Sequence, residues 1–186
     1  ITAFDSMSGS LLGPSYKDEE VRKVLEKNQA RFEYVEQEDV LLDRAAALLA
    51  QQKIIGWFQG RMEWGPRSLG ARRILADPRS SELQRIFNEK IKFREDFRPF
   101  APAVLEEDAG DFFEIDFPSP YMLFVAGVAG SRRKSVPENY EEFSWKEKLD
   151  HHRSDIPAVT HVDFSARVQT VDGITNERFW KLLKTF

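Results

Sequence analysis

Residues 60–79 read GRMEWGPRSLGARRILADPR. Three glycines at regular intervals, Gly60, Gly65 and Gly70, permit positive φ angles and close approach of a ligand to the backbone. Pro66 stiffens the turn between Gly65 and Arg67. The apolar run Ile54–Phe58 before the stretch reads as a buried strand, and Arg73–Ala76 as a second strand ended by Asp77-Pro78. A compact loop between two strands therefore gathers Arg61, Arg67, Arg72 and Arg73. Guanidinium forks match phosphate and carboxylate oxygens two at a time. Two readings stand open on residue types alone: a phosphate or acyl-phosphate cradle, or a solvated turn with structural pairs from arginine to Glu63 and Asp77. The G-x-x-x-x-G-K-[ST] spacing of a Walker loop is absent.

Outward from this loop, helices and strands mix. Asp18–Gln29 is a helix candidate with acids in its first turn, and Asp39–Lys53 a stronger one, with Leu41, Leu42, Ala45, Leu48 and Leu49 as its apolar stripe. Arg31–Val35 could form a short strand. Ser80 or Ser81 can cap a helix that runs to about Ile91. Phe100–Leu105, Tyr121–Val128, Pro157–Val162 and Ala166–Val171 read as further strands, and Thr175 opens a last helix. Residues 131–156 are polar, with a short helix near Tyr140–Lys148. The pattern predicts an α/β (α+β) domain with a mixed sheet. Residues 1–37 are expected to be a linker or N-terminal extension with one helix, and residues 38–186 the domain proper.

The whole chain sets limits on function. Its 186 residues, 41% hydrophobic and with 15 Phe, supply ample core. The absence of Cys excludes disulfides, thiolate zinc sites and a Cys nucleophile, and fits a cytoplasmic protein. No apolar run approaches the ~20 residues of a membrane span, and residues 1–10 lack the pattern of a signal peptide. The first residue is not Met and the last residues fall within an apolar helix pattern, so the sequence is expected to be a piece of a longer chain. Residues 61–98 hold ten basic and six acidic side chains, net +4; the chain as a whole carries -4, which leaves -8 elsewhere. A positive island in an acidic chain points to a local anion site rather than a nucleic-acid surface.

Two further segments carry candidate chemistry. In NEKIKFREDFRPFAP, residues 88–102, an extended Lys92–Arg94 would put both cations on one face and Phe93 in the core. Two adjacent cations suit a polyphosphate; equally, Glu95 and Asp96 could neutralise an ordinary solvated face. Arg98 follows, with Pro99 and Pro102 stiffening the next strand. In PAVTHVDFSARVQTVD, residues 157–172, His161, Asp163 and Arg167 could converge at a hairpin tip. His161 could act as general acid or base, although a His between two Val residues is more often structural. His151 and His152 lack the partners of a metal site.

Taken together, GRMEWGPRSLGARRILADPR, FREDFRPFAPAVL and AVTHVDFSARVQTV resemble the C-terminal domain of the O-carbamoyltransferases of nodulation and antibiotic biosynthesis. The resemblance covers roughly residues 10–186 and three long motifs in order. It implies a YrdC-like fold: an open, twisted mixed sheet flanked by helices, here expected to be truncated at its C-terminal end. It further implies an actin-like N-terminal domain outside this sequence that carries the metal and acceptor sites. In such enzymes carbamoyl phosphate is cleaved to carbamate. ATP then adenylates the carbamate, and the carbamoyl group passes to a hydroxyl in the other domain. Lys92-Phe93-Arg94 matches the family's K-x-R pair for nucleotide phosphates. The later S-x-N has no match, so that half of the site is expected to lie outside the sequence. Ser68 stands where Ala is usual, Arg73 where Ser is common, and Phe164-Ser165 where Gly-Thr is common, which bears on the turn near His161.

From the resemblance, Arg61, Arg67 and Arg72 are expected around carbamoyl phosphate, and Lys92, Arg94 and Arg98 around the ATP phosphates. Arg67, Arg72, Lys92, Arg94, Arg98 and Arg167 together make up the expected carbamoyl phosphate/ATP-binding set. Glu63 is expected to orient an arginine or the attacking water, and His161 joins the catalytic candidates. Magnesium would accompany ATP, with no tightly bound metal in this domain. The partners implied are carbamoyl phosphate, ATP and the N-terminal domain, with neither membrane nor nucleic acid. The alternatives are a YrdC-like RNA- or nucleotide-binding module, or a non-catalytic structural domain.

Overall fold

The computed structural model of the chain describes residues 5–95 and 97–186. Residues 1–4 of the expected linker, and Asp96 with its expected neutralising role, lie outside the described residues. Six helices and six short strands form an open α+β arrangement: α1 (Asp18–Lys27), α2 (Glu38–Ala50), β1 (Ile55–Phe58), β2 (Arg72–Leu75), α3 (Ser81–Ile86), β3 (Ala103–Leu105), α4 (Ala109–Phe112), β4 (Val125–Gly127), α5 (Trp145–Asp150), β5 (Ser165–Arg167), β6 (Gln169–Val171) and α6 (Glu177–Thr185). The strands pair in twos: β1 with β2 antiparallel, β3 with β6 parallel, and β4 with β5 antiparallel. No helix is long and apolar enough to cross a membrane among the described residues.

The chain divides into two compact units. The first comprises residues 1–75 and 173–186, so the last helix returns to the opening half. Leu42, Ala45, Ala46 and Leu49 are buried along α2 at the i, i+3, i+4, i+7 spacing of one helix face. The predicted stripe was too wide by two residues, since Leu41 and Leu48 sit on the flanks and stay exposed. α2 packs on α6, whose Phe179 and Leu182 are fully buried. Glu38 at the start of α2 pairs with Arg178 at 2.7 Å and Lys181 at 3.5 Å on α6. The two expected strands, β1 and β2, pair antiparallel around the glycine-punctuated loop, in the register Ile55↔Leu75 to Phe58↔Arg72.

The second unit, residues 76–172, has its own core. Val104 on β3, Phe113 after α4, Ala126 on β4, Val128, Ile156, Val159, Ala166 on β5 and Val168 close together. Ser80 caps α3 as expected, accepting a hydrogen bond from the Leu83 amide. Several expected strands are shorter or absent. The Tyr121–Val128 run is a strand only over Val125–Gly127. Residues 157–159 wind as a single 3-10 turn in place of a strand, because Pro157 opens a turn that the Thr160 amide closes back onto it. Arg31–Val35 forms no strand.

One correction bears on the site. Phe87–Lys92 continues α3 as a π-helical turn, and Phe93 adopts a left-handed conformation with φ 49°. Lys92–Arg94 is therefore not extended. Phe93 is 84% exposed rather than core-facing. The helical period carries on past the point where alternation was expected, so the period-two argument for one shared face fails.

Candidate functional site

In the first unit the 59–71 loop is organised around the carboxylate of Glu63, whose side chain is wholly buried. It accepts hydrogen bonds from the backbone amides of Leu69 at 2.7 Å, Ala71 at 2.7 Å and Arg72 at 3.3 Å. Arg72 Nε donates to the same carboxylate at 3.2 Å, and Arg72 Nη2 donates to the Glu63 carbonyl at 3.2 Å. A carboxylate turned inward onto three amides converts a flexible loop into a fixed one. Gly60, Gly65 and Gly70 all have positive φ, as expected. Gly70 also needs its missing side chain: at φ +122°, a Cβ would lie 2.5 Å from Phe179 Cδ1 and 2.9 Å from Asn176 Nδ2.

The opening segment locks onto the outside of this loop. Gly13 donates to the Met62 carbonyl and Met62 to the Pro14 carbonyl, each at 2.9 Å, while Trp64 donates to the Ser10 carbonyl at 2.7 Å. Arg61 donates from Nη2 to the Leu12 carbonyl at 3.2 Å. Arg67 is exposed at the tip and forms no ion pair among the described residues. Arg73 behaves differently from its neighbours. Burial lowers its pKa to about 10, opposed by the Glu63 charge, and its guanidinium lies 5.7 Å from the centre of the Phe179 ring. Arg61, Glu63, Arg67 and Arg72 are thus carried on one loop whose shape Glu63 fixes.

In the second unit Lys92, Arg94 and Arg98 share another loop, built on a side chain the sequence did not single out. Asn88 is fully buried. Its Nδ2 donates to the Arg98 carbonyl at 2.9 Å, and its Oδ1 accepts from Arg94 Nε at 2.7 Å. Its carbonyl accepts from the Arg94 amide at 3.0 Å. Arg94 lies over the Phe100 ring at 5.1 Å, and Lys92 lies 6.0 Å from the Phe87 ring centre. Burial pushes the Arg94 pKa down, and repulsion from Arg98 pushes it further, with Glu95 opposing. Arg98 pairs with Glu95 at 2.9 Å. Arg94 and Arg98 thus share one loop, and the charge of Arg98 disfavours the protonated form of Arg94.

The turn after residues 157–159 holds His161 and Asp163 together, as the spacing suggested. His161 Nδ1 and Asp163 Oδ1 are 3.0 Å apart, and the same oxygen accepts from the Ser165 amide at 3.0 Å and the Ser165 hydroxyl at 2.6 Å. Burial works to raise the Asp163 pKa, but the Ser165 and His161 hydrogen bonds outweigh it and hold the carboxyl below its usual value. Phe164 takes φ 63° in this turn without a glycine. Arg167 lies on β5, paired across the ladder with Val125.

Two more residues shape this side of the unit. Trp145 opens α5, and its ring centre lies 6.5 Å from Phe97 and 6.2 Å from His161. Arg153 is only 3% exposed. Its Nη1 donates to the carbonyls of Lys148, Leu149 and His151, and its Nη2 to the Thr160 carbonyl at 3.1 Å. It therefore ties the end of α5 to the segment entering the His161 turn. Nothing in the linear pattern distinguishes Arg153 from the exposed arginines around it. Among the described residues, no three His, Asp or Glu side chains come together as a metal-holding group.

An open α+β chain with these three motifs in this order defines a family, and the chain belongs to it: the carbamoyltransferase C-terminus family matches residues 46–186. The chain is 50% identical over 98% of its length to the uncharacterized protein sll1178 of Synechocystis sp., of which it covers 30%. It is 41% identical over 82% of its length to nodulation protein NolNO of Sinorhizobium fredii, covering 20% of that protein. With the 3'-hydroxymethylcephem-O-carbamoyltransferase of Streptomyces clavuligerus it is 38% identical over its whole length, covering 32%. The chain thus spans a third or less of the length of these curated relatives.

Proposed function

We propose that this chain is the part of an O-carbamoyltransferase that binds carbamoyl phosphate and ATP and activates the carbamoyl group for transfer to a hydroxyl acceptor. The observation that carries the reading is the second-unit loop, in which Asn88 holds Arg94 beside Arg98 although their charges repel. A polyanion between such cations removes the repulsion and gains charge-assisted hydrogen bonds. The named relatives support the acceptor chemistry: one is a cephem O-carbamoyltransferase by name.

In this reading Arg61, Arg67 and Arg72 hold carbamoyl phosphate, and Glu63 acts through the loop it organises and through Arg72. Lys92, Arg94, Arg98 and Arg167 hold the phosphates of ATP, and magnesium accompanies the nucleotide from solution. Water cleaves carbamoyl phosphate to carbamate and inorganic phosphate. A carbamate oxygen then attacks the α-phosphorus of ATP, the bond to the β-phosphate oxygen breaks, and pyrophosphate leaves with carbamoyl-adenylate formed. Attack by the acceptor hydroxyl on the carbamoyl carbon, in the further domain, releases AMP; in this reading His161 with Asp163 moves a proton in the steps that precede the transfer. Fixed guanidinium groups stabilise the charge that develops on the phosphoryl oxygens without reorganising. The acceptor site and the metal belong to a further, actin-like domain of the full-length protein, and the setting is cytoplasmic.

Pyrophosphate release by the full-length protein tests this directly. It is expected only when ATP and carbamoyl phosphate are present together. Calorimetry on Arg67→Ala and Arg94→Ala should show weakened binding of at least one of the two ligands; unchanged binding of both in both variants defeats the assignment.

A further inference from the structure

We infer that Trp145 is the stacking platform for the base of the nucleotide whose phosphates the neighbouring basic loop takes. This rests on the nucleotide reading above and adds the residue that recognises the non-phosphate end.

Trp145 is 62% exposed, an unusual position for the largest apolar side chain. It is nonetheless not loosely placed. Ser144 caps its helix, accepting from the Glu147 amide at 3.4 Å, and the Glu147 carboxylate accepts from the Ser144 amide at 2.8 Å and hydroxyl at 2.6 Å. The other end of the same helix is held by Arg153, a buried cation that binds carbonyls only, with Nε left without a partner. A buried guanidinium has a high desolvation cost, and here it fixes the ground under an exposed indole.

Two aromatic rings border the indole. Phe97 meets it edge-on, at an interplanar angle of 62°, and His161 does so at 74°. Neither ring lies parallel on the indole, so neither takes up a stacked position against it. Phe97 is the residue before Arg98, so the basic loop reaches the indole through one side chain. An open aromatic face beside repelling guanidinium groups matches the two halves of a nucleotide, a π-face and a polyanion. A purely ionic site for small phosphates has no use for the indole.

Titration calorimetry of the full-length protein with ATP and with inorganic tripolyphosphate separates the two parts. Trp145→Ala is expected to weaken ATP about tenfold or more, the usual range for loss of one base–aromatic stack. Tripolyphosphate affinity should be unchanged, and Trp145→Phe should keep most of the ATP affinity. If ATP binds Trp145→Ala as tightly as the parent while tripolyphosphate still binds both, the stacking assignment is wrong and the phosphate site stands. An equal loss for both ligands makes Trp145 a structural residue and also overturns the inference. If the parent binds neither ligand, the phosphate reading falls and this one falls with it.

Discussion

Replacing Glu63 with Gln keeps the size of the side chain and removes its charge. In the native loop the carboxylate takes three backbone amides and one guanidinium, at 2.7 to 3.3 Å, in a position closed to solvent. The amide that replaces it has one oxygen for these donors, and its NH2 faces Arg72 Nε, donor against donor. The charge-assisted bond from Arg72 Nε is lost, at about 1–3 kcal/mol, and the three amide bonds to the remaining oxygen lose their charge assistance. A total near 3 kcal/mol is about 6–12 °C in Tm for a chain of this size. Thermal unfolding followed by circular dichroism measures it, and the shift should change little with salt because the group is buried. Binding of carbamoyl phosphate should weaken alongside, since Arg67 and Arg72 ride on the same loop. A Tm within ~2 °C of the parent, together with lost turnover, would refute the reasoning: Glu63 would then act on the reacting atoms and not as the fastening of the loop.

Three other perturbations follow. Gly70→Ala places a methyl group against Phe179 and Asn176 at a φ that L-residues rarely adopt, and should cost about 2–4 kcal/mol, read as a lower urea midpoint with unchanged m. Asn88→Ala leaves the Arg98 carbonyl and Arg94 Nε without their partner; it should cost about 2 kcal/mol by the same measurement and raise KM for ATP more than it lowers kcat. Burial, then the charges of Asp172 and Glu107, raises the Glu106 pKa in the folded state, with a Thr170 hydrogen bond opposing. The folded chain therefore holds this proton more tightly than the unfolded one, and stability falls as pH rises from the ordinary carboxylate value of 4.5 through the raised one. Glu106→Gln should abolish that part of the pH dependence and raise Tm at pH 7; an unchanged Tm–pH curve between pH 4 and 7 argues against it.

What could be read from the residues was local. The face of α2, the Ser80 cap and the pairing of His161 with Asp163 depend on spacings of two to four residues, which period and cap chemistry address. The supports of the candidate site are not of that kind. Glu63 binds amides six to nine residues on, and Asn88 reaches ten residues to Arg98. Arg153 ties α5 to Thr160 through carbonyls that carry no residue identity. The alternation expected at Lys92–Arg94 failed for a related reason: a π-helical turn keeps the helical period, and the reversal at Phe93 is made by a phenylalanine where a glycine would have signalled it. The charged residues of the candidate site stand out in the sequence; the framework that holds them does not.

Because α6 arrives at the very end of the chain yet plugs Phe179 and Leu182 into the opening half, the first unit is discontinuous. During synthesis residues 76–172 emerge and can settle before their host is whole. Until residues 177–185 leave the ribosome, α2 and the glycine loop lack the helix that covers them. The first unit can therefore close only after the inserted residues 76–172 have been made.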